Sequence, residues 1–325
     1  MPAAPASAIP DDEDGIMING ELIDLAAGDY QARIATCGAT LVHLRRGGRD
    51  LVVPFDAEAS LPGGWQGKTL VPWPNRVAGS RYTYGGVDYL LACNEPETGS
   101  ALHGLVGWSD FQVIEQSASE VLVGLCQPGS YAYPWALQVQ VRFTLGEAGL
   151  RVVTTTTSLG AALPAADVPG APQEAGLPLP APYGVSCHPY LTRPAPLEEC
   201  TLTVPACRVL DVDPQTMAPA GERSVEGTEW DWRSGRLVGQ TSTDNAYLGL
   251  PAEPWQVRLC DPEGRAVVMG ADAPWVQIYT DDQLGRRGVA VEPMTCPPNA
   301  FNSGRDLITL EVGQSHDFTY TLHEE

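Results

Sequence analysis

Residues 137–145 read Leu137-Gln138-Val139-Gln140-Val141-Arg142-Phe143-Thr144-Leu145, a strict alternation of apolar and polar side chains. A period of two is typical of a half-buried β-strand, because successive side chains of a strand point to opposite faces of the sheet. The odd positions predict a face packed on a core, and the even positions predict a more polar face. A turn with Gly146 and Gly149 then leads into Arg151–Thr157, a Val/Thr-rich second strand.

Similar patterns recur along most of the chain. The pair Gly85-Gly86 is a two-residue hairpin signal between two short strands. The further candidate strands are Arg81–Tyr84, Val87–Leu91, Gln256–Cys260, Arg265–Met269, Val276–Thr280, Gly288–Glu292 and Asp317–Leu322. No long helical stripe is present, and 34 Gly and 29 Pro interrupt any long helix. Many short strands separated by turns favour an all-β sandwich or barrel over alternating strands and helices.

Two segments depart from this pattern. Residues 1–15 are rich in Pro and Ala and then acidic, which predicts a disordered tail. Residues 160–182 are rich in Ala, Pro and Gly and carry only two charges. Because strand-like sequence continues on both sides of them, we interpret residues 160–182 as a surface insertion loop. We therefore expect one β-domain over residues 16–325.

The composition is strongly acidic, with 40 Asp and Glu against 19 Lys and Arg in 325 residues and a formal net charge of −21. Binding to a nucleic-acid backbone or to an anionic membrane surface depends on Lys and Arg, so the charge argues against both kinds of partner. It sets no limit on a neutral small-molecule substrate.

The apolar stretches, the N-terminus and the cysteines indicate the cellular compartment of the protein. No uncharged apolar stretch approaches the ~20 residues of a membrane-spanning helix. The N-terminus also lacks the basic and apolar stretches of a secretory signal. The eight cysteines are scattered, without a C-x-x-C pair, which argues for reduced thiols and against a zinc cluster. These features predict a cytoplasmic protein. Lys68 is the only lysine, so any Schiff-base chemistry would have to use it.

Five motifs are unusual for a surface loop or a core strand. In chain order they are Leu70-Val71-Pro72-Trp73-Pro74-Asn75-Arg76; Asn94 with Leu102-His103-Gly104; Ser186-Cys187-His188-Pro189-Tyr190; Thr243-Asp244-Asn245-Ala246-Tyr247; and Val276-Gln277-Ile278-Tyr279-Thr280 with Ala290-Val291-Glu292-Pro293 and Pro298-Asn299-Ala300-Phe301-Asn302. In this order they resemble the aldose 1-epimerase (galactose mutarotase) family, from about Gly15 to the C-terminus. The resemblance implies a large twisted antiparallel β-sandwich, the galactose mutarotase-like supersandwich, with a sugar cleft across one sheet.

The resemblance also implies roles for individual residues. Glu292 takes the place of the family's catalytic base, and His188 takes the place of its general acid. The implied substrate-binding residues are Asn75, Arg76, His103, Asp244 and Gln277. The implied activity is aldose 1-epimerase: one group removes the proton of the anomeric hydroxyl while another protonates the ring oxygen. This chemistry needs a sugar but no cofactor, metal or covalent intermediate.

The residues around His188 bear on the choice of sugar. Ser186-Cys187 precedes it and Pro189-Tyr190-Leu191 follows it, which departs from galactose-type members and resembles a less specialised bacterial branch. The preferred sugar and the oligomeric state are therefore left open. Aromatic residues often line sugar sites, and Trp73, Trp108 and Trp275 are candidates for the cleft wall or for the core.

Three other functions are weighed against this one. A hexose-6-phosphate 1-epimerase would need clustered arginines, but the adjacent pairs Arg45-Arg46 and Arg286-Arg287 lie outside the motifs. A non-catalytic sugar-binding protein would not need both Glu292 and His188. A glycoside hydrolase would need two opposed carboxylates, and the matched partner of Glu292 is a histidine.

Overall fold

A computed structural model describes residues 17–161, 179–252, 254–280 and 283–325. The expected tail, residues 1–15, lies outside the described residues, as does the part of the expected insertion loop at 162–178. Residues 160 and 161 end one strand, and the chain is described again from residue 179.

Strands dominate the described residues, and every ladder between them is antiparallel. In chain order they are β1 (Leu22–Ala27), β2 (Tyr30–Ala35), β3 (Thr40–Arg46), β4 (Arg49–Asp50), β5 (Thr69–Leu70), β6 (Arg76–Val77), β7 (Arg81–Tyr84), β8 (Val87–Leu90), β9 (Ala101–Leu102), β10 (Gln112–Gln116), β11 (Glu120–Gln127), β12 (Trp135–Gly146), β13 (Gly149–Ala161), β14 (Ala181–Tyr183), β15 (Ser186–Cys187), β16 (Tyr190–Leu191), β17 (Thr201–Thr203), β18 (Arg208–Val212), β19 (Pro219–Ser224), β20 (Arg236–Leu237), β21 (Asp244–Leu248), β22 (Trp255–Cys260), β23 (Ala266–Ala271), β24 (Trp275–Tyr279), β25 (Val289–Met294), β26 (Ile308–Leu310) and β27 (Ser315–Glu324). The helical segments are α1 (Ala300–Ser303) and the 3₁₀ turns Gly63–Trp65, Ala78–Ser80 and Leu197–Glu199.

The alternating segment lies in the larger of two principal sheets. This nine-stranded sheet has the order β10-β11-β12-β13-β27-β23-β22-β17-β20. In β12, Leu137, Val139 and Val141 are fully buried, whereas Gln138 is exposed. The predicted half-buried strand is confirmed, as is the hairpin of β7 and β8 around Gly85-Gly86.

The second principal sheet has eight strands in the order β19-β18-β21-β24-β25-β15-β5, with β16 pairing to β25. One continuous apolar cluster contains Val139 and Val141 of the first sheet together with Val276, Ile278 and Val291 of the second. Full burial of a Val or Ile side chain contributes roughly 1.5–3 kcal/mol, so this shared core holds the two sheets face to face. The predicted all-β sandwich is confirmed.

The helices of the described residues are short. None of them is long and apolar enough to cross a lipid bilayer.

Candidate active site

A cleft of about 440 Å³ lies over the face of the eight-stranded sheet that points away from the shared core. It collects residues that the sequence spreads from position 75 to position 292. The predicted site residues that line it are Asn75, Arg76, His103, His188, Asp244 and Glu292. The seventh, Gln277, contacts Asp244 from the neighbouring strand. The structure therefore brings all seven together.

The pleat of the sheet explains how three of these residues come to lie on its cleft side. Gln277 and Glu292 are direct partners across β24 and β25, and they alternate with the core residues Val276 and Val291. Since successive side chains of a strand alternate in direction, Gln277 and Glu292 face away from the core. Asp244 begins β21 on the far side of β24, where its amide partner Gln277 holds it.

His188 follows the short strand β15, and hydrogen bonds of its backbone fix its position. The N–H of His188 donates to the carbonyl of Lys68 at 3.0 Å, and the N–H of Gly67 donates to the carbonyl of His188 at 2.9 Å. The imidazole packs against the rings of Tyr190 and His103, with centroid distances of 5.1 and 5.2 Å. These contacts fix both ends of the residue and leave the ring only 5% exposed.

His188 and Glu292 form a buried pair. Nε2 of His188 lies 3.3 Å from Oε1 of Glu292, and the Glu292 side chain is 2% exposed. Burial, followed by the nearby Asp244 carboxylate, raises the pKa of Glu292 well above its ordinary value, although Arg76 opposes this. Burial also lowers the pKa of His188 to about 3. The environment thus disfavours the charged form of each group.

The pair also retains unused hydrogen-bonding capacity. Within the described residues, Oε2 of Glu292 and Nδ1 of His188 have no hydrogen-bond partner, and the same holds for Oε1 of Gln277. Buried polar atoms are nearly always paired in folded proteins. The two atoms on the lining residues Glu292 and His188 mark a place where a polar ligand can complete the hydrogen bonding.

His103 is locked in one neutral tautomer. The backbone N–H of Asn75 donates to Nδ1 of His103 at 3.2 Å, so Nδ1 is an acceptor and Nε2 carries the proton. Burial, then the neighbouring His188 and Arg76, lowers the pKa of His103 well below its ordinary value. His103 sits at φ 62°, and Gly104 follows at φ 74° with the Val71 carbonyl where a Cβ would lie. The turn therefore presents Nε2–H of His103 as a hydrogen-bond donor.

Arg76 is fixed by an acid that the sequence had not indicated. Its guanidinium donates to both oxygens of Glu95, at 2.6 and 2.8 Å, and lies 3.6 Å from Asp244. Although burial raises it, hydrogen bonds from Arg76 and Thr98 hold the pKa of Glu95 below its ordinary value. A bidentate pair of this kind sets the plane of the guanidinium. Glu95 directly follows Asn94 of the second motif, and that adjacency was the only available signal.

One donor set could in principle hold a metal. Nitrogens of His103 and His188 and an oxygen of Glu292 all lie within 4.8 Å of one another, and two histidines with one carboxylate form a common metal-binding set. His103 does not fit this role here. The N–H of Asn75 occupies the lone pair on Nδ1, and Nε2 carries the proton, so neutral His103 has no lone pair to offer.

Aromatic residues of the cleft differ from those expected. Trp65 lines it, with its ring 5.0 Å from that of His103. Trp73 and Trp275 are buried in apolar clusters, at 3% and 1% exposure. Both therefore belong to the core and not to the cleft wall. Trp108 is 48% exposed and lies 5.4 Å from Trp65. Trp65 stands in a 3₁₀ turn outside every motif, so no sequence pattern marked it.

Comparisons with known proteins bear on the family and the fold of the chain. The aldose 1-epimerase family profile matches residues 21–166 and 174–323. The chain is 36% identical over 308 residues to the uncharacterized protein YihR of Escherichia coli K12, and the match covers 94% of both chains.

Solved structures share the fold at lower identity. A GalM/aldose epimerase homologue from C. elegans superposes with a TM-score of 0.78 at 19% identity, covering 94% of this chain and 98% of that one. A galactose 1-epimerase from Lactobacillus acidophilus gives a TM-score of 0.76 at 16% identity, covering 94% of each chain. With the family profile spanning nearly the whole sequence, this chain belongs to the aldose 1-epimerase family.

Proposed function

We propose that this protein is an aldose 1-epimerase that interconverts the α and β anomers of a free aldose by acid–base ring opening and closure. The observation that carries the proposal is the His188–Glu292 pair, an imidazole and a carboxyl group 3.3 Å apart at the cleft. Ring opening of a hemiacetal needs one proton acceptor and one proton donor, and these groups can supply both.

The closeness of the pair suits the positions of the reacting oxygens. The anomeric hydroxyl and the ring oxygen are bonded to the same carbon, so their acceptor and donor must also be neighbours. Glu292 takes the hydroxyl proton while His188 delivers a proton to the ring oxygen. After rotation about the C1–C2 bond the two roles reverse, and the ring closes as the other anomer.

Burial of the pair assists the opening step. Before proton transfer the groups are a carboxylate and an imidazolium, and afterwards they are a carboxylic acid and a neutral imidazole. The low-dielectric environment favours both neutral forms, as the raised pKa of Glu292 and the lowered pKa of His188 indicate. The opening step therefore ends with the pair in its favoured neutral form, and the carboxylate–imidazolium form from which it starts is the less stable arrangement of the same single proton.

The surrounding groups are suited to orienting the sugar. Asp244, held by Gln277 and near Arg76, offers a fixed acceptor for sugar hydroxyls. Nε2–H of His103 offers a neutral donor, because Asn75 occupies its other nitrogen. Charge-assisted hydrogen bonds from such fixed groups give both affinity and orientation.

The charges around the cleft favour an uncharged sugar over a phosphosugar. Arg76 is the one arginine among the described lining residues, and Glu95 already engages it. The guanidinium of Arg286 donates to backbone carbonyls, including Gly239 at 2.8 Å. Arg287 contacts the carbonyl of Pro54 instead of the cleft. The described cleft thus lacks the clustered arginines that a phosphate would require.

The test is polarimetry of freshly dissolved α-glucose and α-galactose, corrected for spontaneous conversion, with glucose 6-phosphate in parallel. We expect catalysed conversion of the free sugars and a lower kcat/KM for the phosphosugar. Saturable sugar binding without acceleration of any free aldose would overturn the proposal and favour the sugar-binding alternative. Catalysis confined to glucose 6-phosphate would instead favour the phosphosugar epimerase.

A further inference from the structure

The only lysine of the chain is buried beside a cysteine. Lys68 has no solvent exposure, and its Nζ donates to the carbonyl of Cys37 at 3.0 Å and lies 3.8 Å from the Cys37 Sγ. The exposed ring of Trp108 covers the ammonium group at 4.4 Å. No carboxylate of the described residues lies within ion-pair distance of Lys68. A buried cation without a counter-ion is costly, so this arrangement requires an explanation beyond packing.

The two side chains are suited to react with each other once the sulfur is oxidised. Burial lowers the pKa of Lys68, which increases the share of neutral amine with a free lone pair. Cys37 is half-buried, whereas Lys68 is enclosed, so a small oxidant reaches the sulfur before the amine. The flexible four-carbon stem of lysine can close the remaining gap by bond rotation.

We propose that Cys37 and Lys68 form a peroxide-responsive covalent pair. Hydrogen peroxide oxidises the Cys37 thiol to a sulfenic acid and is itself reduced to water. The Lys68 amine then attacks the sulfur, the S–O bond breaks, and a second water leaves as the S–N bond of a sulfenamide forms. Sulfenic acids condense with nitrogen in this way. The crosslinked protein carries two hydrogen atoms fewer than the reduced one, and two equivalents of an added thiol restore it while forming a disulfide.

The pair is connected by backbone hydrogen bonds to the candidate catalytic residue His188. The carbonyl of Lys68 accepts the N–H of His188, and the neighbouring Gly67 donates to the carbonyl of His188. The N–H of Thr69 donates to the carbonyl of Gly38, the residue after Cys37. A bond between the two side chains therefore constrains the backbone that positions His188. This functional consequence rests on the proposed function, whereas the crosslink does not.

A single lysine makes the crosslink easy to detect. Endoproteinase Lys-C cuts the denatured, reduced-state protein only after Lys68, into two fragments, and it does not recognise a lysine whose nitrogen carries sulfur. After treatment of the folded protein with hydrogen peroxide, we expect a crosslinked chain that is lighter by two hydrogens. After blocking of free thiols, this chain should lack the blocking group on Cys37 and should no longer yield the two fragments. Dithiothreitol added before denaturation should restore both fragments.

Two variants serve as controls. Cys37→Ser should be cut fully after peroxide, because it has no sulfur beside Lys68. Cys126→Ser removes an exposed cysteine of β11 and should still become resistant to cutting. Complete cutting of peroxide-treated wild type, with Cys37 oxidised but not bonded to nitrogen, would overturn the proposal. Resistance that persists in Cys37→Ser would overturn it as well.

Sugar turnover gives a second, separate readout. We expect peroxide-treated wild type to lose turnover in proportion to the uncut fraction and to regain it with dithiothreitol. Cys37→Ser should keep its turnover throughout. Full resistance to cutting with unchanged turnover would overturn the link to His188. Absence of turnover in the untreated protein would count against the proposed function, and the cutting assay would still decide the crosslink.

Discussion

The amide of Gln277 donates a 2.6 Å hydrogen bond to Oδ1 of Asp244, from one strand to the next across the eight-stranded sheet. Gln277 is also the direct cross-strand partner of Glu292. It is 2% exposed and does not line the cleft, so its amide acts through its neighbours. We therefore infer a positioning role for Gln277, which links the candidate sugar-binding carboxylate to the strand of the candidate base.

Replacing Gln277 by Leu should weaken sugar binding more than turnover. The change removes a hydrogen bond to a carboxylate, a contact worth roughly 1.5–3 kcal/mol, so KM should rise by about ten-fold or more while kcat falls less. Steady-state kinetics on the preferred aldose measure the split. Gln138→Leu, at an exposed position of β12, is the matched control and should change neither constant. A normal KM in folded Gln277→Leu would contradict the positioning role.

The pH dependence of kcat/KM should show the shared proton of the buried pair. The pair holds one proton. Burial lowers the pKa of His188 to about 3, so the pair takes up a second proton only in strong acid. Burial also raises the pKa of Glu292, so the pair keeps its one proton as pH rises. Activity should therefore be flat through pH 6.5, where an ordinary imidazole titrates. It should fall on the acid side only as pH approaches about 3. A clear inflection near pH 6.5 would show a solvated imidazole instead.

Sequence reasoning located the features that local periodicity controls. The strand β12 follows from alternation alone, because one of its faces is buried along its whole length. The seven candidate site residues come from the family resemblance, whose motifs keep a fixed order along the chain, and the structure groups them at one cleft. Glu95 and Trp65 were missed because each acts through a contact with a residue distant in sequence, Arg76 and His103 respectively.

Buried charges inside the sandwich also depend on contacts between residues that are distant in sequence. Arg193 and Glu324 are 131 positions apart, yet they form a 2.8 Å ion pair with almost no solvent contact. Neither has a local signature, since Arg and Glu are usually exposed. Only the pairing of the last strand, β27, with its neighbours brings Glu324 to this place.

This ion pair should make stability depend on acid pH. Although burial raises it, contacts with Arg49 and Arg193 hold the pKa of Glu324 below its ordinary value of 4.5. A carboxyl group whose pKa is lower in the folded state stabilises the protein above its unfolded pKa, and that contribution is lost as pH falls below 4.5. Thermal melting should show a lower Tm at pH 3.5 than at pH 6, with part of the decrease absent in Glu324→Gln.

At neutral pH, Glu324→Gln should itself be destabilised, by about 1.5–3 kcal/mol, since it removes the 2.8 Å charged partner of Arg193 and leaves only Asp261, at 3.5 Å, beside the buried guanidinium. The matched control is Glu325→Gln, which breaks the half-exposed pair with Arg258 and should cost less than about 1 kcal/mol. Denaturant unfolding measures both differences. Equal effects of the two substitutions would show that the buried pair has no special weight.

The decisive prediction concerns Glu292. Glu292→Gln keeps the size of the side chain and a hydrogen-bonding oxygen near His188 but removes the proton-accepting carboxylate. Loss of general-base catalysis should slow conversion of a pure anomer by ~10²–10⁴-fold, which is about 3–5 kcal/mol of barrier, while sugar binding is retained. His188→Gln should slow it comparably, and the double variant should lose little more than either single one, because each step needs both proton transfers. Glu97→Gln, an exposed carboxylate at the same cleft, is the matched control and should stay near wild type. Polarimetry gives the rates, and thermal melting confirms that each variant folds. A folded Glu292→Gln protein that converts α-glucose at the wild-type rate would remove Glu292 from the mechanism.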